Sequence, residues 1–240
     1  MIFLNLKQVS DYFNLTEKLI WSISVLVIVV SFFLFGNDGY LTLIASLLGV
    51  SSLIFCAKGN PFGQFLMIIF AILYSVISFS FKYYGEMITY LGMSLPMAIF
   101  SLVSWLKNPF NGNKSEVKVN KIARNEVVFM SFLTLIVTIT FYFILKYFGT
   151  SNLIPSTFSV TTSFLAAYLT FRRSPYFALA YACNDIVLVI LWILASFQDI
   201  SYMSVVICFV VFLVNDLYGF ISWLKMMKRQ EKVIKNLLQY

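Results

Sequence analysis

Eight stretches of this chain run for about 17 residues or more with few charges, the length at which a helix crosses a ~30 Å hydrocarbon core. They lie near residues 19–35, 40–57, 63–81, 87–106, 127–145, 153–171, 175–197 and 202–224. A segment in lipid must satisfy its backbone within itself, which limits it to a helix or a closed barrel. The runs therefore predict an all-α polytopic membrane protein with eight transmembrane helices. Composition agrees, with 60% hydrophobic residues, 11% charged and a mean hydropathy of +0.88 in 240 residues, more than a soluble domain can bury. The first run is read as a retained helix: Asp11 and Glu17 precede it, and no small-residue cleavage site precedes Gly36.

The basic residues test this count, because Lys and Arg in short loops collect on the cytoplasmic side. With the N-terminus inside, the inner segments hold 15 of them, from Lys7 and Lys18 through Lys58, Lys107 and Arg172 to Lys235, and the outer ones hold 2, Lys82 and Lys146. A miscounted span would scramble that split. The prediction is a multi-pass protein of the cell membrane with both termini cytoplasmic. Its net charge of +7 then follows from topology and from attraction of the tail to anionic membrane lipid, with no nucleic-acid partner required.

Little enzyme chemistry remains. The chain has no histidine, which removes imidazole relays, Ser-His triads and the usual zinc ligand. Cys56, Cys183 and Cys208 sit inside apolar runs without CxxC spacing and read as small packing residues. No metal site, no cofactor and no enzymatic activity are expected.

Two short motifs recur. Ser104-Trp105-Leu106-Lys107 returns 118 residues on as Ser222-Trp223-Leu224-Lys225, and Lys58-Gly-Asn-Pro61-Phe62 has a partner 114 residues on, Arg172-Arg-Ser-Pro175-Tyr176. Alone, each tryptophan–lysine pair is an ordinary helix end, an interfacial ring beside a snorkelling cation. Together the offsets outline an internal duplication in which 40–57, 63–81 and 87–106 repeat as 153–171, 175–197 and 202–224. Both markers are cytoplasmic in both copies, so the three-helix repeats run parallel and one helix must join them. The predicted organisation is an N-terminal segment with an extra helix (1–38), a first repeat (39–107), a loop and linker helix (108–150), a second repeat (151–225) and a basic tail (226–240): a 3+1+3 plan plus one helix.

Polar groups at mid-depth are expensive and usually face a cavity. Asn184 and Asp185 lie nine and ten residues past Pro175, and Asn215 and Asp216 nine and eight before Leu224, close to the centre at 1.5 Å per residue. Trp192 and Trp223 follow the two aspartates by seven residues, on the same helical faces, with Tyr181 and Tyr218 nearby. One such pair is as well explained by helix-to-helix bonding; two at matching depth favour a binding site. In the first repeat Phe70, Ala71 and Met97 occupy the matching positions, so that side is expected to be mostly apolar wall, Tyr74 excepted. Trp105 is expected to be an interfacial anchor.

The run Phe62-Gly63 … Leu73-Tyr74 … Tyr84-Gly85-Glu86-Met87 … Pro96-Met97 … Trp105-Leu-Lys107-Asn108, with Asn184-Asp185 … Leu191-Trp192 … Asn215 … Trp223, resembles the PnuC family of vitamin transporters over about residues 40–225. That resemblance implies a SWEET-like fold and import of a nucleoside-like vitamin, typically nicotinamide riboside. It also implies facilitated diffusion, with a cytosolic kinase trapping the product. Substrate contacts are then expected from Asn184, Asn215, Trp192, Tyr181, Asp185, Tyr74, Tyr218 and Asp216. Ala98 stands where relatives often carry Gln or Asn, which leaves thiamine, riboflavin or deoxynucleosides open as cargo. Also open are ion coupling through Asp185 or Asp216, and the oligomeric state. A substrate-binding subunit of an ATP-driven complex finds no docking motif in the sequence.

Overall fold

The structure is a computed structural model that describes residues 12–35, 39–80, 84–150 and 152–237; Lys7, Asp11 and Lys82 lie outside them. Helix α1 spans Leu15–Phe35, α2 Tyr40–Ala57 and α3 Pro61–Ser80. A short helix α4, Tyr84–Thr89, runs through a π turn at Tyr90–Ser94 into α5, Leu95–Lys107. Then come α6 (Arg124–Tyr147), α7 (Leu153–Phe171), α8 (Tyr176–Ser196), a 3₁₀ turn at Ile200–Tyr202, and α9 (Met203–Leu237). The π turn sits directly before Pro96, which has no N–H to give and crowds the preceding turn. As far as Leu237 the predicted basic tail continues α9 without a break, in one 35-residue helix.

Among the described residues, seven helical segments are long and apolar enough to cross a membrane: α1, α2, α3, α4–α5 together, α6, α8 and the stretch containing α9. The remaining one, α7, has the length at 19 residues but carries Ser156, Thr157, Ser159, Thr161, Thr162, Ser163 and Thr170. Several of these hydroxyls return to their own helix, as Thr157 Oγ1 does to the Leu153 carbonyl at 2.8 Å and Thr161 Oγ1 to that of Thr157 at 2.8 Å. Helix α6, by contrast, turns Val128, Phe129, Phe132, Leu135 and Phe143 outward, an apolar face suited to lipid and otherwise unexplained.

Helix α3 packs against α2 and α5, and α8 against α7 and α9; the two groups meet where α9 packs on α2 and α5 on α7. Helix α1 lies against α2 and α9, and α6 against α7. The joint is made at the basic end of the bundle. Trp105 Nε1 donates to the Thr170 carbonyl at 2.8 Å, and Trp223 Nε1 to the Cys56 carbonyl at 2.8 Å. Both rings are fully buried, and Phe177 lies 4.9 Å from Trp223 and 6.2 Å from Trp105. The expectation for Trp105 is thus corrected: it is not an interfacial anchor but a core residue. Its N–H finds a carbonyl inside the protein, and an indole with that partner has no need of the membrane–water boundary. Of the cysteines, Cys56 and Cys208 are buried as expected, whereas Cys183 is exposed.

The all-α expectation also needs one correction at this end. Strands β1 (Pro109–Phe110) and β2 (Asn113–Val117) pair antiparallel. Between them Asn111 and Gly112 both take positive φ, 49° and 78°, the backbone that an Asn-Gly hairpin turn demands. Just beyond, the chain straps the two groups of helices: Val117 N–H donates to the Gly59 carbonyl at 2.9 Å and Asn120 N–H to that of Arg173 at 3.0 Å. The extended end of α9 holds the strap from the other side. Gln230 Nε2 donates to the Val117 carbonyl at 3.0 Å, and Gln230 Oε1 accepts from Val119 N–H at 2.9 Å.

Candidate substrate cavity

Between the two groups of helices lies a cavity of about 150 Å³. Its walls come from α2, α3 and α4–α5 on one side and α7, α8 and α9 on the other, with Leu145 of α6 and Thr150 just after it. The π turn helps to shape it: Glu86, Tyr90, Ser94, Met97, Ala98 and Ser101 all reach the cavity from one face of the interrupted helix. Gly49 permits close packing at the wall, since a Cβ there would stand 2.6 Å from the Phe212 ring.

Six of the eight expected contact residues line this space: Asn184, Asp185, Tyr181, Trp192, Asp216 and Tyr74. Asn184 is held firmly. Its Oδ1 accepts from Thr162 Oγ1 at 2.8 Å, Ser163 Oγ at 3.0 Å and Ser159 Oγ at 3.3 Å, all from the polar face of α7. Three donors on one oxygen fix the carboxamide and leave its Nδ2 donors for the cavity. Tyr74 joins an aromatic cluster, 4.7 Å from Phe70 and 5.1 Å from Tyr90 between ring centroids. The Trp192 ring lies 5.3 Å from that of Tyr202, tilted by 47°.

The other two residues lie elsewhere. Asn215 is buried on a different face of α9, where its Nδ2 donates to Ser24 Oγ of α1 at 2.9 Å and to the Val211 carbonyl at 2.8 Å. Tyr218 donates its hydroxyl to Glu17 Oε1 at 3.2 Å, and Glu17 in turn pairs with Lys58 at 3.1 Å. Both therefore tie α1 to the bundle. Asn215 and Asp216 are neighbours in sequence and so point about 100° apart on a helix; only the aspartate reaches the cavity.

The first group of helices supplies more polar groups than expected, Gln64, Glu86, Tyr90, Ser94 and Ser101, beside the expected apolar wall of Phe70, Ala71 and Met97. Glu86 belongs to the Tyr-Gly-Glu-Met motif at the edge of the expected span 87–106, and the structure carries the helix back to Tyr84 so that Glu86 lies within it. The Ser159, Thr162 and Ser163 set was legible, as hydroxyls spaced three and four apart within a span.

Electrostatically the cavity is one-sided. Three carboxyl side chains line it, Glu86, Asp185 and Asp216, and no Lys or Arg does among the described residues. Asp185 of α8 and Asp216 of α9 both line this space. Asp185 is 3% exposed, and its Oδ2 has no hydrogen-bond partner among the described residues.

A statistical model of the family described as "Nicotinamide mononucleotide transporter" matches residues 39–225. The protein named nicotinamide riboside transporter PnuC from Neisseria mucosa is 25% identical over 214 residues, 88% of this chain and 81% of its own. The one of the same name from Haemophilus influenzae is 25% identical over 197 residues, 80% of this chain and 82% of its own. A solved structure described as the vitamin B3 transporter PnuC superposes with a TM-score of 0.76 at 23% identity, covering 91% of this chain and 94% of that one, which establishes the likeness of fold.

Proposed function

The chain belongs to the PnuC family, a family of membrane transporters and not of enzymes, and from that premise we propose that it imports nicotinamide riboside through the cavity between its two groups of helices. One observation carries the choice of an unphosphorylated cargo. A phosphate dianion needs Lys, Arg or a ring of backbone N–H groups, whereas this cavity offers three carboxyl groups and no basic side chain among the described residues. The rest suits a riboside. Asn184 Nδ2, Ser94 and Ser101 can bond hydroxyls or a carboxamide, and Tyr74, Tyr90, Tyr181 and Trp192 offer faces to a ring.

Transport on this reading is facilitated diffusion, and phosphorylation in the cytosol traps the product. The basic end of the bundle is cytoplasmic, and all eight long helical segments span the membrane. Helices α2, α3 and α4–α5 form one repeat and α7, α8 and α9 a parallel second, joined by α6 and preceded by α1. The reciprocal tryptophan bonds support that pairing. So do the turns at Gly59 and Arg173, 114 residues apart, which share a left-handed backbone with φ of 67° and 57°. Asp185 and Asp216, both on this cavity, favour one second reading, a symporter in which they carry the coupling ion.

Uptake of labelled nicotinamide riboside, thiamine, riboflavin and deoxynucleosides into proteoliposomes separates the cargoes. Saturable uptake of the riboside is expected; saturable uptake of another compound with the riboside ignored would overturn the reading.

A further inference from the structure

Four residues of the cavity wall, Leu53, Ser101, Ala167 and Tyr181, stand about one helical turn from Cys56, Trp105, Thr170 and Phe177, each of these on the side toward the basic end. That next turn is apolar and closed. Trp105, Phe177 and Trp223 belong to one buried cluster, which continues into the strap at the fully buried Val117. Met97 and Tyr181, which line the cavity, pack against the same cluster. Apolar side chains therefore run from the cavity to the strap, with members from both groups of helices, and a polar cargo finds few partners among them.

The strap is fastened over this plug. It bonds the turns of both groups, at the Gly59 and Arg173 carbonyls. From α9 the buried Gln230 pairs with the strap backbone as a neighbouring strand would, accepting from Val119 N–H and donating to the Val117 carbonyl. Ion pairs flank it on either side, Arg229 to Glu116 at 2.6 Å and Lys121 to Glu231 at 2.7 Å.

We propose that this plug, clasped by Gln230, is the gate between the cavity and the cytosol. It opens when the two groups part along the crossing bonds of Trp105 to Thr170 and Trp223 to Cys56. The proposal rests on reading the basic end as cytoplasmic and the cavity as the transport path, and it holds for any cargo.

Ser101, buried on the cavity wall, is the reporter. Ser101→Cys is placed in the full chain with Cys183→Ser, a membrane-impermeant maleimide is added to inside-out vesicles, and the labelled residues are identified by peptide mass. Adding Gln230→Ala removes both clasp bonds and should raise labelling at 101 at least about fivefold. Cys208, buried in a separate core cluster, should stay unlabelled. Unchanged labelling at 101 in both vesicle orientations overturns the proposal; a gain from the opposite face alone inverts the orientation and leaves the gate standing. Labelling of Cys208 as well reports unfolding, and a cross-link then decides. Ser104 Oγ of α5 donates to the Phe171 carbonyl at the end of α7 at 2.8 Å. Ser104→Cys with Phe171→Cys, bridged by a short bis-methanethiosulfonate, ties the groups across the gate. Riboside counterflow should fall at least about tenfold and return on reduction; full counterflow with the bridge in place overturns the gate. Absence of riboside counterflow before bridging removes the choice of cargo instead, and the labelling result still decides the gate.

Discussion

Trp105 and Trp223 lie ring to ring at 5.3 Å, and each donates its N–H to the end of a helix in the opposite group. The accepting carbonyls are matched as well: that of Cys56 also receives Gly59 N–H at 2.9 Å, and that of Thr170 receives Arg173 N–H at 2.9 Å. This pair packs with Phe177 at the basic end of the bundle. Trp105→Phe and Trp223→Phe each delete one bond and some packing, at roughly 1–3 kcal/mol apiece. Thermal unfolding in detergent should register similar losses from the two. A full loss from one and none from the other would contradict their equivalence.

The two asparagines should behave differently. Asn184→Leu removes the donors that face the cavity and should weaken substrate binding by about 5- to 150-fold. Asn215→Leu breaks the tie to Ser24 and should lower the unfolding temperature while leaving affinity within about threefold. Calorimetric titration of both variants decides it; a large affinity loss in Asn215→Leu would move that residue back to the binding site.

How much of this was legible beforehand depends on the kind of signal. Helix positions were readable because lipid imposes a length and a composition on each span. The cavity aspartates and Asn184 were readable because polar groups at mid-depth are rare enough to notice. The placement of Asn215 against α1 was not, because a mid-depth amide that bonds a neighbouring helix leaves the same trace in sequence as one that bonds a ligand. Nor was the burial of Trp105, since a tryptophan at a helix end has the same spacing whether it faces lipid headgroups or a partner helix. The hairpin at Asn111-Gly112 carries a plain signal, an Asn-Gly pair that favours the positive φ its turn needs.

Gly63 marks the tightest contact between α2 and α3. A Cβ there would stand 2.7 Å from the Cys56 backbone nitrogen and 2.9 Å from the Ser52 carbonyl, and Ser52 Oγ already donates to the Gly63 carbonyl at 3.1 Å. Backbone cannot yield as a side-chain tip can. Gly63→Ala should therefore express poorly or lose several degrees of thermal stability, whereas Gly112→Ala, with nothing within 4 Å, should lose only the smaller cost of its positive φ. Size-exclusion profiles and unfolding curves of the two compare them directly.

Orientation is checked by protection. Tags placed in the loop between α5 and α6 and after Leu237 should be inaccessible to membrane-impermeant reagents in intact cells and accessible after lysis. Labelling from outside would invert the proposed topology.

The central claim is passive movement of an unphosphorylated riboside through the cavity, and counterflow measures it most directly. Proteoliposomes loaded with unlabelled nicotinamide riboside and diluted into a trace of labelled riboside should show transient accumulation of label. That overshoot should be unaffected by a protonophore and uninhibited by nicotinamide mononucleotide. In vesicles not preloaded, label should rise only to the external concentration. Accumulation beyond that level driven by a proton or sodium gradient, or counterflow supported by the mononucleotide and not by the riboside, would contradict the account.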